Sequence, residues 1–449
     1  MTDKNSNYIK RIIAVALPIA LSNLVSQLQL LIDRMFIGRL SLDSVSAVSN
    51  ATTPFWTTMS TVFALTTGAT IVVSQAYGAN EIEKAKSYLA ALFKFNNVFG
   101  IGLFLFWILC PQIVFRIMGV DESIIGMSID YARYCAPVFI FTGIGSAISC
   151  MLEVSQKTVI MIAYGLTRSL TNIALDYILI FGHFGFPAMG VKGAAIATTI
   201  AELIGDLVVL IYSIMSTKLP VRPSMNQIIF SKLKPYLGTI RFGIPAACEE
   251  FAWNIGNLYL LVMLNKISVE AAGIHAIVFG VELIAVELFV SIGTATLTLS
   301  GFETGKKSMD GVWNVVKWSL ILCGVISVVN VVLFMIFPTQ ILSWFTTDEA
   351  VISAAPLYLL IVGIDLFPKS GNIIVGSGIK GYGDPRWMML TQLFGTVFVI
   401  SASTVLVMVL HRGIFEIFCM VVADETIRLI FNAGKLRRVI KNGFVSADS

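Results

Sequence analysis

The amino-acid sequence predicts an all-α integral membrane protein: twelve transmembrane helices in two parallel-repeat lobes of six. Three observations predict it. The 449-residue chain is 56% hydrophobic and only 13% charged, where soluble domains carry about 25% charged residues. Its mean hydropathy of +0.84 is more apolar surface than a soluble core can use, so lipid must cover much of it. The chain also repeats itself. Residues 16–49 align without a gap on residues 243–276, Pro18 over Pro245, at an offset of 227. The same register sets Pro111 over Pro338, Asp121 and Glu122 over Asp348 and Glu349, and Tyr131 over Tyr358. A register shared over such a length points to two copies of one membrane unit.

Apolar runs of spanning length fall at 12–37, 52–76, 88–110, 130–151, 159–182, 190–215, 240–264, 273–301, 313–337, 354–378, 387–410 and 413–434. The polar start, MTDKNSNYIKRII, lacks a small-residue cleavage site, so the first run reads as a span rather than a signal peptide. The long polar stretch 216–241 holds Lys218, Arg222, Lys232, Lys234 and Arg241 with no acid, and links lobes expected at 1–225 and 226–449. Nineteen Lys and Arg fall in the loops on the amino-terminal side against five on the other. That bias predicts a multi-pass protein of the cell membrane with both termini cytoplasmic. Six spans per repeat is an even number, so both copies start on the same side, with a cleft between them.

Six cysteines without a CxxC pair read as small buried hydrophobes, and three scattered histidines argue against a metal site. The net charge of +4 reports topology rather than nucleic acid. No His, Cys or Ser constellation sits in a sizeable loop, which argues against a membrane enzyme. No cofactor is expected, and the chain reads as a monomer.

Ionisable groups within spans are costly and are functional candidates by default. Asp33 ends a stripe Ser22, Ser26, Gln29, Asp33 on one face of the first span. Asn172 and Asp176 share a face of the fifth, with Arg168 one turn before. At about 1.5 Å per residue, Asp33 and Asp176 sit at similar depth. Two carboxylates and an amide oxygen at one level can hold a proton or a small hard cation. The competing reading pairs Asp33 with Arg34 or Arg39, and Asp176 with Arg168. The second half carries Glu249 and Glu250 in the seventh span, Glu282 and Glu287 in the eighth, and Asp365 in the tenth, as a substrate site or second cation site. Lys369 lies one turn from Asp365 and can neutralise it; the four glutamates have no base within a turn. Glu202, Asp206, Asp424 and Glu425 are further intramembrane acids, with Arg428 beside Glu425. Pro18 and Pro245 are candidate hinges. The copies have diverged in charge: Leu260 stands where the first has Asp33, and Ser403 where it has Asp176.

Several stretches together resemble the multidrug and toxic compound extrusion (MATE) family of the flippase-like superfamily. They are LIDRMFIG at 31–38, the segments from Thr67 to Asn80 and from Asn172 to Gly182, MGVKGAAIAT at 189–198, and GSGIKGYGDP at 376–385. The resemblance covers essentially the whole chain. It implies alternating access and export of small organic, often cationic, compounds driven by inward flow of H+ or Na+. It also implies a cation site at Asp33, Asn172 and Asp176, which match the family's span 1 aspartate and span 5 Asn…Asp pair. Glu249 and Glu250 lie closer to Pro245 than the family's span 7 carboxylate. The expected function is therefore a secondary antiporter. The alternative, a lipid or glycolipid flippase, would want a basic cleft, whereas the mid-span charge here is mostly acidic.

Overall fold

The computed structural model describes residues 2–346 and 348–443, and among them no strand forms. The first repeat comprises α1 (Thr2–Gly38), α2 (Leu42–Gly78), α3 (Ile82–Leu109), the short α4 (Pro111–Ile117), α5 (Glu122–Cys135), α6 (Val138–Val154), α7 (Ile160–Phe181) and α8 (Val191–Met215). A connecting turn, α9 (Met225–Ile229), follows. The second repeat comprises α10 (Leu233–Ile267), α11 (Val269–Gly305), α12 (Met309–Ile336), the short α13 (Pro338–Ser343) and α14 (Glu349–Ala354), α15 (Pro356–Tyr382), α16 (Pro385–Thr404) running into a π-helical turn at Val405–Val409, and α17 (Ile414–Asn442).

The twelve expected passes are all present, with α5 and α6 together making the fourth. Adding the 227-residue offset to the bounds of α2 and α3 gives those of α11 and α12 to the residue. The helices outrun the apolar segments because polar turns continue them past the hydrocarbon. Eight helices are long and apolar enough to cross a membrane by themselves. Those missing from that set include α7, α10 and α17, which carry intramembrane charges.

One expected continuous span is broken. Pro137 interrupts residues 130–151, because proline has no N–H to donate and disfavours a helical residue before it. The result is a 44° bend between α5 and α6. The matching residue in the second repeat is Ile364, and α15 runs straight through it. Helix starts are kept in register: Asp121 caps α5 by accepting from the Ser123 N–H at 2.8 Å, and α14 begins at Glu349, one residue after the matching Asp348.

Two compact units result. One contains residues 17–73 and 81–244, the other residues 1–16, 74–80 and 245–449. They differ from the halves 1–225 and 226–449 at the ends of α1, α2 and α10. Both candidate hinges lie where the chain changes unit: α1 crosses at Ala16–Leu17, next to Pro18, and α10 crosses at Ile244–Pro245. The core of the first unit is aromatic, with Phe55 4.6 Å from Phe139 and 5.5 Å from Trp107, ring to ring. In the second, Leu260, Met263, Leu264, Val407, Ile417 and Met420 pack together. There Arg11 pairs with Glu303 at 3.1 Å, and Gln75 donates to the Gly381 carbonyl at 2.8 Å.

The α7–α8 hairpin positions the site. Gly182 ends α7 at φ +76°, a left-handed value that favours glycine. Small residues on α8, Gly193, Ala194, Ala197, Ala201 and Gly205, then let the two backbones approach. A Cβ on Gly193 would stand 2.6 Å from the Leu179 carbonyl oxygen. Gly193→Val should therefore destabilise the protein by about 1–3 kcal/mol, the usual cost of overpacking. Gly324→Ala, with no atom within 4 Å of the added carbon, should leave thermal unfolding in detergent unchanged.

Candidate cation site in the first repeat

The polar stripe of α1 meets a stripe of identical spacing on α7. Ser22, Ser26, Gln29 and Asp33 stand opposite Gly165, Ser169, Asn172 and Asp176, and the second set forms the buried face of α7. Gly165 makes the crossing possible, since a Cβ there would lie 2.9 Å from the Ser22 Cα. One turn on, Ser26 bonds to Arg168. The Ser169 hydroxyl donates to Gln29 Oε1 at 3.0 Å, and the side-chain amides of Gln29 and Asn172 meet at 2.5 Å. Gln29 also donates to Asp33 Oδ2 at 3.2 Å. With its amide nitrogen toward Asp33, Asn172 reaches both carboxylate oxygens, at 2.9 and 3.1 Å. At the end of the seam the carboxyl groups of Asp33 and Asp176 are within hydrogen-bond reach of each other.

Asn172 and Asp176 are 0% and 1% exposed, while Asp33 is half-buried. Among the described residues neither aspartate forms an ion pair, and Asp176 Oδ1 has no hydrogen-bond partner. The expected pairings with Arg34, Arg39 or Arg168 do not form. Arg168 turns instead to α8, where its guanidinium meets Glu202 Oε2 at 3.2 Å, and Tyr164 donates to the other Glu202 oxygen at 3.0 Å. Sequence spacing missed this because Glu202 comes from a third helix. Thr198 on α8, 3.5 Å from the Asn172 amide, was missed for the same reason. Ile37, Ile180 and Ala194 pack beside the seam, and the Phe36 and Phe181 rings meet edge to face at 5.7 Å.

Two carboxyl groups in contact, with the nearest base Arg168 paired to Glu202, cannot both be ionised without a large repulsion. A proton or a small cation shared between them would relieve it. The four carboxyl oxygens form a donor set that fits a shared proton or a small hard cation, with the Asn172 side-chain amide holding Asp33 in place beside it.

The second repeat solves the same problem differently. Lys369 lies between Asp365, at 2.9 Å, and Glu282. Arg428 binds Asp424 at 2.9 Å and Glu425 at 2.7 Å, and Asn372 donates to Glu425 at 2.7 Å. Glu249 pairs with Lys380 at 3.2 Å. So Glu249 and Glu282, which have no base within a turn of their own helix, both receive one from α15. Glu250 follows Glu249 in α10, and Glu287 lies half-buried on α11. Glu282, Asp365, Lys369, Asp424, Glu425 and Arg428 line a cavity of about 70 Å³ together with Trp253, Phe279 and Phe418. That is far below the roughly 300–1,000 Å³ of a drug-sized pocket. It can take a small ion or an ammonium group, not a whole organic molecule.

Comparison with known proteins agrees with this architecture. The MatE family profile matches residues 18–178 and 245–432, one stretch in each repeat. The chain is 27% identical over 429 residues to the probable multidrug resistance protein NorM of Thermotoga maritima, covering 94% of this chain and 91% of that one. It is 26% identical over 380 residues to the probable multidrug resistance protein YoeA of Bacillus subtilis, covering 84% and 82%. A solved outward-facing conformation of a multidrug resistance MATE family transporter of the MOP superfamily superimposes with a TM-score of 0.89 at 17% identity, over 97% of this chain and 96% of that one. The profile spans well over half of the sequence and falls on both copies of the repeat, and the chain therefore belongs to the MatE family of MATE transporters.

Proposed function

We propose that the protein is a secondary antiporter that exports organic, cationic compounds in exchange for inward-moving H+ or Na+. The observation that carries this reading is the Asp33–Asp176 contact, a buried and a half-buried carboxyl group with Asn172 reaching Asp33 and no ion pair to either aspartate among the described residues. Both relatives are named probable multidrug resistance proteins, which supports small organic cargo. The coupling ion occupies Asp33, Asn172 and Asp176. Its arrival removes the repulsion that otherwise holds α1 and α7 apart at this level. An ion shifts a conformational equilibrium only by its difference in affinity for the two states. The seam must therefore be closed in one state and loosened in the other. Pro18, beside the point where α1 changes unit, is the place where α1 can bend as the seam closes and loosens, and Pro245 serves α10 in the same way.

The cavity of the second repeat has four carboxylates against two cations, and this surplus attracts a cationic group. A cation entering there competes with Lys369 for Glu282 and Asp365. Glu249 is held by Lys380, so Glu250 is the α10 carboxyl left to face an incoming charge. The chain works as a monomer in the cell membrane with both termini cytoplasmic, an orientation that the bias of Lys and Arg supports.

In proteoliposomes loaded with a fluorescent organic cation, Asp33→Asn and Asp176→Asn should each lower export under an imposed H+ or Na+ gradient by about 5–150-fold, the span of a typical coupling free energy. Dye binding without a gradient should persist. Gradient-driven export at wild-type rate in both variants would refute the assignment. In the second repeat, Lys369→Met should cost about 3–5 kcal/mol by leaving two buried carboxylates unopposed. Adding Glu282→Gln should restore part of the lost thermal stability.

A further inference from the structure

A second feature lies at the end of α17, beyond the cavity of the second repeat. Ile430, Gly434, Arg438 and Asn442 follow one another at four-residue spacing on one face, flanked by Phe431, Lys435 and Val439. This face is the wall of a groove of about 560 Å³, closed on its other side by Tyr382 at the end of α15 and Trp387 at the start of α16. The groove is graded along its length. Ile430 and Phe431, 64% and 48% exposed, lie toward the middle of the span. Arg438 lies two turns further on, about 12 Å along the axis. Gly434 sits between them, and a Cβ there would meet no atom within 4 Å, so the floor is open.

The cationic end is built. Lys435 is held 2.7 Å from Asp384 and 5.1 Å above the Trp387 ring, while the Trp387 indole N–H donates to Asn432 at 3.0 Å. Arg438 is exposed and has no acidic partner among the described residues. Arg437 and Lys441 add to the same terminus.

From these features we infer that the groove binds a phospholipid with a net negative headgroup. Its phosphate lies against Arg438 and Lys435, and its upper acyl chain lies along Gly434, Phe431 and Ile430. Apolar wall, aromatic pair at the helix ends and basic terminus follow the order of acyl chain, interface and headgroup in a bilayer leaflet. The two cations make the groove unsuited to the organic cations proposed as cargo. This inference is independent of the coupling site.

Native mass spectrometry of the full-length protein with added phosphatidylglycerol or phosphatidylcholine tests it. One phosphatidylglycerol should be retained in preference to phosphatidylcholine. Arg438→Gln should weaken that retention by about fivefold, from roughly 1 kcal/mol per surface cation. Gly434→Leu, which fills the groove without touching a charge, should lower retention of both lipids. Equal retention of the two lipids by the wild type, or unchanged phosphatidylglycerol binding in either variant, would overturn the assignment. Unaltered thermal unfolding of both variants in lipid-free detergent would show that their folds are intact.

Discussion

An ionised carboxylate inside a bilayer has no water to stabilise it and must find a positive partner within the protein. This one requirement orders most of the structure. Glu202 takes Arg168, Glu282 and Asp365 share Lys369, Asp424 and Glu425 share Arg428, and Glu249 takes Lys380. In each case a long basic side chain ties two helices together or locks one helical turn. The Asp33–Asp176 contact is set apart because its two acids face each other, and the nearest base, Arg168, is already committed elsewhere. In the proposed function the coupling ion supplies the missing counter-charge, so that the site can be loaded and unloaded.

Duplication supplied the scaffold, and divergence supplied the difference between the two sites. On α8 the residues Ala197, Thr198 and Ala201 stand where α17 has Asp424, Glu425 and Arg428. The small set lets α8 press against α7 and brings Thr198 to Asn172. The charged set widens the corresponding space into a cavity with fixed internal cations. Among the described residues the first repeat thus leaves the Asp33–Asp176 pair without an ion pair, and the second pairs Glu282, Asp365, Asp424 and Glu425 with lysine and arginine.

The fold could be read from the sequence to the extent that it depends on local hydropathy and on the repeat, and the kept offset places α11 and α12 to the residue. The break at Pro137 sits on a residue whose meaning depends on whether neighbouring helices tolerate a bend, and its counterpart Ile364 gave no warning. The π-turn at Val405–Val409 has no signature in a run of apolar residues. For the site, counting rise per residue brought Asp33 on the first span and Asp176 on the fifth to one level, with Asn172 one turn before Asp176. The partners were harder, because they are non-local. Arg168 shares a face with Asn172 in sequence, yet it is drawn to Glu202, 34 residues away. Lys369 reaches Glu282 across 87 residues, and Lys380 reaches Glu249 across 131.

Infrared difference spectroscopy of the purified protein tests the central claim most directly, because a protonated carboxyl group buried beside another has its own carbonyl stretching band. The account predicts such a band in the wild type, its loss when the proton is removed or replaced by Na+, and its absence in both Asp33→Asn and Asp176→Asn. A band that persists unchanged in either variant, or a wild type with no carboxyl band that responds to pH or Na+, would contradict it.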